Sequence, residues 1–214
     1  LFESGVFGMS PAEVQATDPS HRMLLASAFV TVLRASFSRQ SVLGSVTGSF
    51  LGFCNDSNWA LVQRDRAVAA TVFSAHGSDS SSAAGRVSYL FGLKGPCLSV
   101  NTACSSSLVA LDSGFANLRL DKCTAALVAG VNLQLHVASW IGLEKLNALA
   151  EDGQCKTFDR RANGFGRSEA CGAVLLVSRA AQSSVAIQGC AVNQDGRSAS
   201  FMAPNGPSQV EVIV

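Results

Sequence analysis

The chain has 214 residues, of which 48% are hydrophobic and only 14% charged, with a net charge of +1. That balance supports a sizeable buried core and excludes intrinsic disorder. It offers no electrostatic basis for binding nucleic acid or an acidic membrane surface, and no apolar run approaches the ~18 residues of a transmembrane helix.

In chain order, Ser10-Pro11-Ala12-Glu13 reads as a helix start: Ser caps, Pro suits the first helical position and Glu can reach back to the cap. Asp18-Pro19 starts a second helix, with Met23, Leu25, Phe29, Val32 and Leu33 as its apolar face. Residues 45–53 read as a strand in which Gly48 and Gly52 allow close backbone approach. Asp56 can cap a helix running to about Ala70. A helix over 80–91 ends at Gly92 and Gly95, and 97–101 forms a short strand. The next helix spans about 105–120, with Leu108, Leu111, Phe115 and Leu118 on one face. Residues 123–131 are an unbroken apolar run, as expected of a strand covered on both faces, and 170–177 and 185–192 look alike. Alternating strands and helices predict an α/β layered fold with a largely parallel sheet.

Gln182-Ser183-Ser184 reads as a boundary between two units. The chain starts on Leu, has no leader-like segment and stops in an apolar run, so it reads as part of a longer protein. The seven cysteines are Cys54, Cys97, Cys104, Cys123, Cys155, Cys171 and Cys190. Their odd number, irregular spacing and lack of a C-x-x-C pair speak against a disulfide framework or zinc site. Apart from Cys104 they read as small buried hydrophobes in a reducing compartment.

Cys104 falls at the turn of a strand–turn–helix segment, Cys97-Leu98-Ser99-Val100-Asn101-Thr102-Ala103-Cys104-Ser105-Ser106-Ser107-Leu108. Small neighbours leave room for a sharp bend, and the Ser run can cap the helix. A free thiol is only about 3% thiolate at pH 7. A helix amino terminus favours the anion by up to ~2 kcal/mol, and its N–H groups can hold the oxyanion of an attacked thioester. Position alone leaves a buried structural cysteine equally open.

Thr102-Ala103-Cys104-Ser105-Ser106-Ser107-Leu108 resembles the nucleophile motif of β-ketoacyl synthases, especially the modular polyketide synthase type. Asp18-Pro19-Ser20-His21-Arg22 is similar to the family's Asp-Pro-Gln-Gln-Arg, with both Gln replaced. Ala84-Gly85-Arg86-Val87-Ser88-Tyr89, Gly164-Phe165-Gly166-Arg167-Ser168-Glu169, Ala191-Val192-Asn193-Gln194-Asp195-Gly196 and Ala203-Pro204-Asn205-Gly206-Pro207-Ser208-Gln209 resemble further family segments in the expected order.

The resemblance implies a thiolase-like αβαβα fold. Residues 1–182 would be the amino-terminal half, without its first strand, and 183–214 the start of the carboxy-terminal half. It implies Cys104 as the catalytic nucleophile, no bound cofactor and no metal. Substrates would arrive on the phosphopantetheine of an acyl carrier protein. A homodimer would form near the strand preceding Cys104. The implied reaction is acyl transfer to Cys104, then decarboxylative Claisen condensation with a malonyl-type extender in fatty acid or polyketide biosynthesis. The supporting histidines would lie beyond Val214, so the chain alone would not condense. Two alternatives stay open: a non-condensing thiolase-like acyltransferase, and a silent dimerisation or carrier-docking partner. The setting would be intracellular, cytoplasmic or plastid.

The chain's own histidines do not match the family's. His21 is expected at the surface, His76 in a loop and His136 in local packing. Lys156, Asp159, Arg160, Arg161, Arg167 and Glu169 form a charged loop. It could line a site entrance, but ion pairs that hold the loop are the favoured reading.

Overall fold

The computed structural model describes residues 2–54, 57–178, 185–201 and 203–213. The chain opens with helices α1 (Ser4–Phe7), α2 (Pro11–Ala16), α3 (Pro19–Arg34) and α4 (Arg39–Val42), followed by strand β1 (Thr47–Phe53). Helices α5 (Trp59–Asp65), α6 (Ser74–Gly77) and α7 (Ser80–Phe91) lead to β2 (Cys97–Val100). Then come α8 (Ser106–Arg119), β3 (Ala125–Asn132), α9 (Ala138–Lys145), β4 (Ala170–Val177) and α10 (Gly206–Ile213).

The strands form one sheet in the order β2-β1-β3-β4. β1 runs parallel to β2 and β3, whereas β4 runs antiparallel to β3. The expected largely parallel sheet is therefore mixed. The reason is local: β4 starts at Ala170, paired with Asn132 at the end of β3, so the chain re-enters the sheet at the end where it left, and α9 between the two strands does not carry it back across.

β1 is buried along its whole length because helices cover both of its faces. Leu51 and Phe53 join Leu24, Leu25, Ala28, Val87 and Phe91 in a core formed with α3 and α7. Phe50 points the other way, to Ala110 and Leu118 of α8. Helix, sheet and helix thus form three layers. Full burial of a Phe or Leu side chain is worth roughly 1.5–3 kcal/mol, so this strand anchors the fold.

Two helix faces differ from expectation. On α3, Met23 and Leu33 are exposed while Leu24 and Ala28 are buried. On α8, Leu108 is 68% exposed and Gly114 is buried instead. A Cβ on Gly114 would lie 2.9 Å from Val128 Cγ2. Small residues bring α8 close to the sheet and Leu108 turns outward, whereas Leu118 is buried and Leu111 packs against the core as expected. The expected strand over 185–192 has no strand pairing among the described residues. Asp56 and the Gln182-Ser183-Ser184 boundary lie outside them, and the helix expected to follow Asp56 is shorter, Trp59–Asp65.

The amino-terminal helices are joined by a buried polar hub. Asp18, fully buried, accepts from the Ser20 amide at 2.7 Å and from the Ser57 hydroxyl, and its own amide donates to Gly77 O at 2.7 Å. Ser10 caps α2 as expected, but Glu13 pairs with Arg86 of α7 rather than reaching back to the cap.

His21, expected at the surface, is only 1% exposed and meets Phe53 edge-on at 5.2 Å. The α3 start packs on the end of β1, and this buries the ring. Burial lowers its pKa from 6.5 to about 4, with nearby Arg86 adding to the shift and Asp18 and Asp79 opposing it. In that window the unfolded chain binds a proton that the folded chain does not. The stability linked to neutral His21 is therefore present above about pH 6.5 and lost as pH falls towards about 4. Thermal unfolding between pH 7 and 5 should show the midpoint falling, and His21→Gln should flatten that fall. Parallel curves for both proteins would contradict it.

Candidate active site

Cys104 sits where β2 gives way to α8, on a 3-10 turn over Ala103–Ser105, and it is exposed. The expected strand–turn–helix arrangement is present. Its start is fixed by two glycines at the ends of neighbouring strands. A Cβ on Gly52 would lie 2.5 Å from Ser107 N, and one on Gly130 would lie 2.7 Å from Ser107 Cβ. The first turn of α8 therefore rests on bare backbone of β1 and β3.

The turn itself is tightly hydrogen-bonded. Ala103, which precedes the thiol, has φ +53°, a left-handed conformation rare for a residue with a Cβ. Its amide donates to Asn101 Oδ1 at 3.2 Å. Ser105 Oγ donates to Thr102 O at 2.8 Å, and Ser106 Oγ donates to Ala103 O at 2.6 Å. The Ser side chains thus pin the turn and do not cap the helix amides, which is a change from expectation. The amides of Ser105 and Ser106 are likewise spent on Thr102 O and Ala103 O. The fourteen-residue α8 still directs the positive end of its dipole at this turn.

None of the described contacts of the histidines involves Cys104. His21 is buried against Phe53, and His76 is exposed on α6. His136 Nδ1 accepts from the Ala138 amide at 3.1 Å, which leaves its proton on Nε2 to donate to Asp65 Oδ2 at 2.9 Å. That bond is the main cause of a lowered Asp65 pKa. With both ring nitrogens occupied, His136 has no free base.

The charged loop is held by its own contacts. Lys156 Nζ donates to Asp152 at 2.8 Å and Asn163 at 2.6 Å, and Arg161 forks onto Asp159. Arg167 stacks over Trp140, and Glu169 accepts from the Gln134 amide at 2.6 Å. Cys97 and Cys155 are exposed rather than buried, and Cys155 Sγ accepts from the Gly166 amide. Among the described residues no group of three His, Cys, Asp or Glu side chains could hold a metal ion, and no helix is long and apolar enough to cross a membrane.

Residues 1–182 match the family model described as the N-terminal domain of β-ketoacyl synthase. Erythronolide synthase EryA2 of Saccharopolyspora erythraea is 38% identical over 218 residues, 99% of this chain and 6% of its own length. Mycoketide-CoA synthase of Mycobacterium tuberculosis is 39% identical over 219 residues, 99% of this chain and 5% of its own. The oxazolomycin ketosynthase domain of Streptomyces albus superposes with a TM-score of 0.85 at 29% identity, covering 99% of this chain and 38% of that one. The ketosynthase from module 6 of the bacillaene synthase of Bacillus subtilis gives a TM-score of 0.81 at 28% identity, with 99% and 37% covered. These likenesses carry the thiolase-like fold. The chain spans only a small part of the curated relatives and under two fifths of the solved ketosynthases.

Adding a methyl at the α8 seat tests its tightness. Gly52→Ala should cost about 1–3 kcal/mol by overpacking and slow iodoacetamide alkylation of Cys104. An unchanged thermal midpoint and alkylation rate would show that the seat has slack.

Proposed function

The chain belongs to the β-ketoacyl synthase family, and from that premise we propose that Cys104 is the acyl-accepting nucleophile of a polyketide synthase ketosynthase. The observation that carries this reading is the exposed thiol on a strained turn at the start of α8. Its sulfur attacks the thioester carbonyl of an acyl group borne on an acyl carrier protein's phosphopantetheine. A new thioester forms at Cys104 and the carrier's thiolate leaves, which is covalent catalysis. Negative charge gathers on the carbonyl oxygen during attack, and the α8 terminus favours charge there.

In the second stage a malonyl-type extender loses carbon dioxide. The resulting carbanion attacks the acyl group, and Cys104 departs as thiolate. The family resemblance assigns the bases for this stage to histidines beyond Val214, and none of the contacts described for His21, His76 or His136 reaches Cys104. Residues 1–182 form the amino-terminal half of the synthase, and 183–214 open its second half. The working assembly is a homodimer served by acyl carrier proteins. The intact Cys104 and the polyketide synthase relatives favour this reading over a silent docking partner or a non-condensing transferase.

Intact-protein mass spectrometry of the full synthase with an acyl-carrier donor should show one acyl adduct, absent from Cys104→Ala. Equal loading of the alanine variant overturns the assignment. The 214-residue chain alone should give no condensation product with acyl and malonyl donors.

A further inference from the structure

We propose that Ser106 is a positioning residue for the nucleophile, holding Ala103 in the left-handed conformation that presents Cys104. Its hydroxyl accepts from the Thr102 amide at 2.9 Å and donates to Ala103 O at 2.6 Å. One side chain therefore bridges the two ends of the Thr102-Ala103 unit. Ala103 has φ +53°, which costs an L residue free energy and persists only when the surroundings hold it.

Three side chains grip this turn, and they are not equivalent. Asn101 and Ser105 act at or near the surface, where water can replace their hydrogen bonds. Ser106 is only 5% exposed. Removing its hydroxyl leaves the Thr102 amide without its partner and Ala103 O with the Ser106 amide alone, so the bridge between the two ends of the turn is lost. The α8 start cannot shift to compensate, because Gly52 already abuts Ser106 C and Ser107 N. The relaxation falls on Ala103, the link that aims the thiol. Misplacement of a reacting group by about 1 Å can cost ~100-fold in rate.

This inference rests on the reading of Cys104 as acyl acceptor, and the two fail differently. The experiment measures the acylation rate of Cys104 in the full-length synthase with a hexanoyl-pantetheine thioester, followed by intact-protein mass spectrometry. Ser106→Ala should lower the rate roughly 10–100-fold. Ser106→Thr, which keeps the hydroxyl, should stay near wild type, whereas Ser106→Val, with a side chain the size of threonine, should not. Ala103→Gly should recover most of the loss in the Ser106→Ala background, because glycine adopts a positive φ without help. A packing role alone would give no such recovery, and this non-additivity is the diagnostic readout. If Ser106→Ala does not fold, the Thr and Val pair and the double variant still decide the matter. Rates within twofold for Ser106→Ala or Ser106→Val overturn the proposal, as does a double variant no faster than Ser106→Ala. Failure of the wild-type protein to take up acyl at Cys104 overturns the nucleophile reading instead.

Discussion

The contact between the first turn of α8 and the bare backbone of Gly52 and Gly130 sets the geometry of the site. Neither glycine has room for a methyl group, so α8 begins directly on the ends of β1 and β3. This seat removes sideways freedom from Ser107 and its neighbours. Gly114, deeper in the same helix, continues the close approach over Val128 and Ala126. The helix is thus held along its length by small residues, and its amino terminus is delivered to the edge of the molecule.

Because that seat is rigid, the strain of the strand-to-helix reversal collects in Ala103. The surrounding hydroxyls and Asn101 hold it there. The local amides are largely consumed in making the turn. On the proposed reading of Cys104 as nucleophile, what α8 contributes is then its dipole and its orientation of the thiol, more than a row of free donors.

On the opposite face, the buried Asp18 hub joins α3 to the segments carrying Ser57 and Gly77, and Arg86 ties α7 to α2 through Glu13. These polar contacts brace the layer against which β1 packs its Leu51 and Phe53. A buried neutral His21 within that layer couples its stability to pH, although it lies on a different part of the fold from the thiol.

The sequence by itself determined the elements whose signals are local. The helix over Ser80–Phe91 has the expected bounds because Asp79 caps it and Gly92 ends it in a left-handed conformation. The strand Ala170–Val177 and the turn at Cys104 were legible for the same reason: apolar runs, small residues and caps act within a few positions. Which way an element faces was left to tertiary structure. Leu108 reads as core yet is exposed, and His21 reads as surface yet is buried, because packing partners distant in sequence decide both. The antiparallel entry of β4 depends on where the chain returns to the sheet. The use of Ser106 to clamp Ala103, rather than to cap α8, follows from a left-handed φ that no residue type there announces. Local patterns specify conformation, whereas burial and strain are properties of contacts that exist only once the layers have assembled.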